Sequence, residues 1–204
     1  PTAYRQFQLY QQALAQLQAA GIDPPQKHMC NSGGSDWFRA SFCNAVRIGR
    51  RLYMDNQAEP LTPGTPGAVQ EACSWRASVT NLRVVEAGDT VGYDAAWTAP
   101  RRPRVATVCV GYGDGLYYPL AEAGGPLLVG EQKARLLATC MDQCFVDVTD
   151  IPCRAGDEVT FFGQSSGGAA MPIQELGKFM HVEGVYFYSF LSPRVARVYE
   201  GLEP

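Results

Sequence analysis

Tyr112 stands in the stretch VCVGYGDGLYYPL (108–120), with Gly111, Gly113 and Gly115 around it and Asp114 beside it. A hairpin needs one or two glycines. Three of them, with a tyrosine among them, describe a bend that folds tightly and presents a phenol at its tip. A phenol with an ordinary pKa of about 10 is a poor base at neutral pH unless neighbours stabilise the phenolate. Read by itself, the stretch is also compatible with a plain turn carrying an exposed aromatic. The other reactive side chains are seven cysteines, at 30, 43, 73, 109, 140, 144 and 153. An odd number scattered through apolar segments predicts free, buried thiols in a reducing compartment. Cys140 and Cys144 lie four apart, but no second pair and no nearby histidine completes a zinc set, so no metal site is expected.

These residues need elements to hold them. Residues 3–20 read as an amphipathic helix with Phe7, Tyr10, Leu14 and Leu17 on one face and Gly21 as its stop. Asp23-Pro24-Pro25 is a turn, KHMCNSGG (27–34) a short segment, and NAVRIG (44–49) a short strand candidate ending in glycine. Residues 54–68, rich in proline and glycine, read as a linker or long loop. From about residue 70 the pattern turns to strands. CSWRASVTNLRVV, RVATVCVG, LLVGEQKARLL, CFVDVTD and EVTFFG are each read as one strand. AGDTV (87–91) and AGDEV (155–159) repeat one turn chemistry, each feeding a strand. PIQELGKFM is a short helix with Pro172 at its first turn. Two short strands and one long helix cannot bury a core alone, so the first part reads as a piece of something larger.

The chain has 204 residues and a net charge of −3, which excludes a nucleic-acid or anionic-membrane partner driven by basic excess. The longest apolar run, around VYFYSFL, is far too short to span a bilayer. The sequence opens on Pro1 without methionine, so its first residue is not expected to be the natural start, and the lack of a leader says nothing of compartment.

Several segments in order resemble the alanine racemase family, pyridoxal-phosphate (PLP) enzymes with an N-terminal TIM-type barrel and a C-terminal β domain. They are HMCNS (28–32), VRIG followed by LY (46–53), VGYDAAWTA (91–99), VGYGDG (110–115), CMDQC (140–144), GDEVTFFG (156–163) and LSPRVAR (191–197). The resemblance covers nearly the whole chain but only the second half of the family pattern. It implies α/β plus β: the end of a TIM-type (β/α) barrel with its linker over 1–68, then a mostly antiparallel β domain over 69–204. The family lysine that holds PLP covalently has no counterpart among Lys27, Lys133 and Lys178. A C-terminal portion is therefore expected, active with a missing N-terminal barrel half and not alone.

The resemblance implies roles as well. Racemisation removes the α-proton from one face of a small amino acid and returns one to the other, which two bases on opposite faces make fast. One base would be the missing lysine and the other Tyr112, serving the partner subunit's site in a homodimer. Arg47 would contact the pyridine nitrogen and keep the ring unprotonated, a weaker electron sink, and His28 would hydrogen-bond and orient Arg47. Ser32 through its hydroxyl, with the backbone N–H groups of Gly49 and Arg50, would bind the phosphate on a loop that Asn31 supports. The Met141 backbone N–H would meet the substrate carboxylate, and Asp142 would line the approach corridor. Outside the family order, Arg47 reads as a solvated strand-end charge, His28 as a satisfied histidine, and Met141 and Cys140 as strand core.

Three positions depart from the family pattern. Pro193 stands where alanine-specific members usually carry a tyrosine that touches the phosphate and narrows the pocket. This implies a roomier pocket, with alanine leading and serine or a broader range behind it. Ala138 stands where an arginine is frequent in the corridor, and Arg50 where an apolar residue is common. The expected product is a D-amino acid for cell-wall peptidoglycan. Two other functions fit less of the pattern: a non-catalytic β-domain interaction module, and a related PLP decarboxylase whose cysteine and aspartate signature is not apparent. Free thiols and the family habit point to the cytoplasm, or to the cytoplasmic domain of a membrane-tethered parent.

Overall fold

The first helix, α1 (Thr2–Ala19), has the periodicity that its sequence predicts. Its only partly buried side chains are Phe7, Tyr10 and Leu14, spaced for one face of a helix, while Leu17, expected on that face, is exposed. Gly21, at φ 76°, ends it in the left-handed conformation while the Ile22 N–H donates to the Leu17 carbonyl at 2.9 Å, closing the frayed end. The computed structural model describes residues 2–37, 43–53 and 71–201. The linker expected over 54–68 lies outside the described residues. The chain divides into two compact units, Pro1–Gln70 and Glu71–Pro204.

In the first unit the two strand candidates reduce to a single parallel bridge, His28 to Ala45. The Arg47 N–H donates to the Cys30 carbonyl at 2.9 Å and extends that contact by one step. Parallel pairing of consecutive segments is what a (β/α) barrel requires. A short helix, α2 (Gly34–Trp37), follows the first segment, and a 3-10 turn at Arg50–Leu52 follows the second.

The second unit is a barrel of antiparallel strands. In chain order these are β1 (Trp75–Val84), β2 (Thr90–Val91), β3 (Trp97–Thr98), β4 (Arg104–Val108), β5 (Pro126–Val129), β6 (Gln132–Thr139), β7 (Cys144–Asp147), β8 (Glu158–Gln164) and β9 (Ala170–Met171). The order β1-β4-β7-β6-β5-β8 closes because β8 also pairs with β1, and β9 adds to the end of β8. Closure removes the exposed edges of an open sheet. β1 serves two neighbours in succession: Trp75–Ser78 pair with β8 and Val79–Val84 with β4, with the register shifting at Thr80. Inside lie Leu127, Leu136, Ala106, Val108, Val146 and Val159, all nearly inaccessible, while Val105 packs on the opposite face with Val91 and Leu137.

The stretch LLVGEQKARLL, expected as one strand, is a hairpin. Val129 pairs with Gln132 across Gly130, whose φ of 56° turns the chain. The two AGD turns match closely: Gly88 and Gly156 take φ 90° and 91°, ahead of β2 and β8. The expected helix is α4 (Ile173–Met180), with Pro172 as its N-cap. Two helices went unread: α3 (Tyr118–Glu122) and α5 (Val185–Phe190), the latter formed by the aromatic run YFYSF. No described helix is long and apolar enough to cross a membrane.

The expectation of uniformly buried cysteines fails at three positions. None of the seven is in a disulfide, but Cys43 is half-buried and Cys73 and Cys109 are exposed. Cys109 sits between buried Val108 and Val110, so alternation along the chain turns it outward.

Candidate active site

The three glycines around Tyr112 are each explained by close packing. After β4, the chain makes a 3-10 turn at Tyr112–Asp114 that lies directly on the β6–β7 turn. The Tyr112 N–H donates to the Cys140 carbonyl at 3.0 Å and the Gly113 N–H to the Met141 carbonyl at 2.8 Å. A Cβ on Gly111 would stand 2.3 Å from the Cys140 oxygen and 2.5 Å from the Asp142 nitrogen. One on Gly113 would stand 2.9 Å from the Met141 oxygen. Gly115, at φ 109°, is both left-handed and pressed against the Phe190 carbonyl. The glycines let one backbone turn seat on another and leave the phenol at the tip of the tight bend that the sequence suggests.

This arrangement brings Tyr112, Met141 and Asp142 together, residues far apart in sequence. Tyr112 is 38% exposed, with its ring edge-on to Tyr118 at 6.0 Å between centroids. Met141 is 52% exposed, so its side chain is not strand core, and its N–H has no partner among the described residues. An unpaired N–H on a fixed turn is a ready hydrogen-bond donor to a carboxylate oxygen. Cys140, by contrast, is buried.

A second phenol reaches the same turn. Tyr93 sits at the tip of the β2–β3 hairpin and is exposed. Gly92 (φ 88°) lies against Ala138, where a Cβ would come within 2.9 Å of the Ala138 Cβ. Asp94 and Ala95 follow at φ 51° and 55°, successive non-glycine residues in the left-handed region. Such backbone strain persists only where surrounding structure holds it, and it concentrates at functional sites. The Tyr93 phenol is pushed above its ordinary pKa by Cys140 first, then by lost hydration, Tyr112 and Asp142. Sequence reasoning passed over Tyr93. The available signal was the tripeptide Val-Gly-Tyr, which occurs at 91–93 and again at 110–112. Ala138, which stands where an arginine is frequent in the family, is buried under this hairpin with Val91, Ala99 and Leu137.

In the first unit, Asn31, Ser32, Gly33, Arg47, Ile48, Gly49 and Arg50 line an open cleft of about 490 Å³. The Asn31 carboxamide accepts the Gly34 N–H at 2.9 Å, and so shapes the loop. Ser32 is buried, and its hydroxyl oxygen accepts the Gly49 N–H at 3.1 Å. That leaves the hydroxyl hydrogen to donate outward, while the Gly49 N–H is engaged within the loop. A hydroxyl donor between two arginines is a donor set suited to a phosphate dianion. His28 is outside this cleft lining, and no hydrogen bond joins it to Arg47; both are exposed among the described residues. The bridge sets His28 opposite Ala45, and the Arg47 backbone pairs with Cys30.

The alanine racemase C-terminal domain family matches residues 72–199, and the alanine racemase N-terminal domain family matches residues 1–57. An alanine racemase of Desulforamulus reducens is 31% identical over 198 residues, 96% of this chain and 52% of its own length. The structure of alanine racemase from the D-cycloserine producer Streptomyces lavendulae aligns with all of this chain and 53% of its own, at TM-score 0.85 and 28% identity. That of the Bartonella henselae alanine racemase, with covalently bound pyridoxal phosphate, aligns with 98% of this chain and 52% of its own, at TM-score 0.79 and 23% identity. The chain thus spans about half the length of the relatives it matches. Its barrel end and antiparallel β barrel follow the family's order of domains, and the chain belongs to the alanine racemase family.

Proposed function

We propose that this chain provides the β domain and part of the cofactor loop of a PLP-dependent amino-acid racemase. The observation that carries this reading is the convergence of two phenols and an unpaired Met141 amide on one β6–β7 turn. Ser32 and Arg50 would hold the cofactor phosphate and Arg47 its ring, while Asn31 and Gly49 keep the loop in shape. The lysine that binds PLP would come from a segment outside this sequence. When bound, PLP supplies the electron sink that lets the Cα–H bond break.

The β domain performs the other tasks. The Met141 N–H takes the substrate carboxylate, and Asp142 borders the approach. A tyrosine breaks or forms the Cα–H bond on one face: as the phenolate its oxygen accepts the proton from one enantiomer, and as the phenol so formed its O–H returns a proton to make that enantiomer. Tyr112, the phenol of the VGYGDG motif, takes this role: its turn is hydrogen-bonded to the turn that carries Met141. The neighbours that raise the Tyr93 phenol above its ordinary pKa disfavour its phenolate and so weaken it as a base. Tyr93 then walls the substrate side of the site. The exposed cluster of Tyr93, Tyr112, Tyr118 and Met141 suits a homodimer in which this face meets the cofactor loop of a second copy. Alanine is the leading substrate, serine the next because of Pro193, and D-alanine for peptidoglycan the product.

Exchange of the Cα proton with deuterated water tests the reading, with L- and D-alanine and serine, on the PLP-loaded full-length protein. Tyr112→Phe is expected to lower exchange from one enantiomer by roughly 100-fold or more, the scale of a lost general acid–base group. Tyr93→Phe should act chiefly on KM. No exchange by the unsubstituted protein would reject racemisation. An unaffected Tyr112→Phe would pass the role to Tyr93 if Tyr93→Phe then abolishes exchange.

A further inference from the structure

Asp114 makes more bonds than a turn residue needs. Its carboxylate accepts the Gly111 N–H at 2.9 Å, and its own N–H donates to the Gly111 carbonyl at 3.0 Å, closing the turn on itself. The other carboxylate oxygen faces the Arg194 guanidinium at 3.4 Å, with the Asp114 side chain 13% exposed. Its carbonyl accepts the Ser192 N–H at 3.0 Å. Asp114 therefore holds the residues on both sides of Pro193. The tail itself is stiffened by Arg197, whose guanidinium donates to the carbonyls of Leu191, Ser192 and Val195. Tyr117 stacks on Phe190 at 5.0 Å just before that segment.

The Tyr112 turn in its turn backs the Met141 turn through the two backbone hydrogen bonds already described. A continuous path therefore runs from Arg194 through Asp114 and the 111–113 backbone to the unpaired Met141 amide. We propose that Asp114, held by Arg194, is a positioning residue that sets the place of the Met141 amide and so governs capture of the substrate carboxylate. Asp114 does not touch substrate. This rests on the racemase reading of the site, but it concerns a residue that the reaction itself does not use.

The test is graded substitution in the PLP-loaded full-length protein: Arg194→Gln, Asp114→Asn and Asp114→Ala. Arg194 is 56% exposed, so its loss leaves the fold intact. Asp114→Asn keeps an acceptor for the Gly111 N–H but loses the charge that faces Arg194. KM for alanine should rise about threefold, tenfold and thirtyfold along the series, steps within the range of one to two hydrogen bonds, with kcat changing less than threefold. Inhibition by ethylamine, alanine without its carboxylate, should stay within twofold in all three variants. A purely structural role would weaken alanine and ethylamine alike, and that result overturns the proposal. An unchanged KM in Arg194→Gln and Asp114→Asn overturns it as well. An inactive unsubstituted protein overturns the racemase reading instead.

Discussion

Gly111→Ala isolates the contact between the two turns. Gly111 has φ −136° and ψ −170°, extended backbone that alanine adopts freely, so any effect is steric. The added methyl would lie 2.3 Å from the Cys140 carbonyl oxygen, 2.4 Å from the Met141 carbonyl carbon and 2.5 Å from the Asp142 nitrogen. All three are backbone atoms and cannot swing aside as a side chain would. Ordinary contact begins at 3.4 Å, so the turns must part by roughly 1 Å. That separation would carry the Tyr112···Cys140 and Gly113···Met141 bonds, at 3.0 and 2.8 Å, beyond hydrogen-bonding range. Two net hydrogen bonds at about 1 kcal/mol each, plus overpacking of similar size, predict a loss of about 3 kcal/mol. Denaturant unfolding would show it as a lower midpoint at unchanged slope. KM for alanine should rise together with it, because the Met141 amide moves. Gly130→Ala is the control: its added methyl meets nothing within 4 Å, so only its φ of 56° counts, for about 1 kcal/mol and no change in KM. A Gly111→Ala protein no less stable than Gly130→Ala, with the KM of the parent, would refute the packing account.

Asp94→Gly should stabilise the protein by about 1 kcal/mol, since Asp94 is held at φ 51°, and thermal unfolding would register it as a rise in midpoint. Glu158 is partly dehydrated, yet the Ser166 hydroxyl and amide, Arg76 and Thr160 hold its carboxyl below the usual range. Such a depressed group contributes stability above its unfolded pKa of about 4.3 that is lost as pH falls through the lower folded value, so Glu158→Gln should cost about 1 kcal/mol at pH 7 and nothing in strong acid. Equal costs at pH 7 and at acid pH would contradict that linkage. Phe162→Ala, at a site 1% exposed between Trp75 and Tyr188, should cost about 4 kcal/mol in denaturant unfolding.

The sequence made local features legible and left non-local ones obscure. The face of α1 followed from spacing, since Phe7, Tyr10 and Leu14 obey a rule that acts within two turns. The paired AGD turns followed from glycine chemistry, and Gly88 and Gly156 differ by one degree in φ. Barrel closure depends on Trp75–Ser78 reaching β8, more than eighty residues on, and no local pattern announces it. LLVGEQKARLL is apolar at both ends, so its central turn was hidden: Gly130-Glu131 lacks the Asn-Gly or Asp-Gly of a common hairpin. Tyr112 drew attention because glycines are visible in a sequence. The reason for them, a backbone ridge at 140–142, is not.

The same physics accounts for the phenol that was missed. Val-Gly-Tyr occurs twice, and each time the glycine is the point where a turn meets the end of β6 or the turn after it. Gly92 sits on the Ala138 side chain, and Gly111 on the Cys140–Asp142 backbone. Each tyrosine then follows its glycine out to an exposed position. The β6–β7 turn is thus the common frame, and the β2–β3 hairpin and the turn after β4 are set against it from different parts of the barrel. Strain separates the two. The Tyr112 turn is relieved by glycine wherever the backbone is left-handed or crowded, whereas Asp94 and Ala95 hold left-handed angles with side chains attached. Holding side chains at those angles costs about 1 kcal/mol or more each, and the Asp94→Gly substitution measures that cost directly.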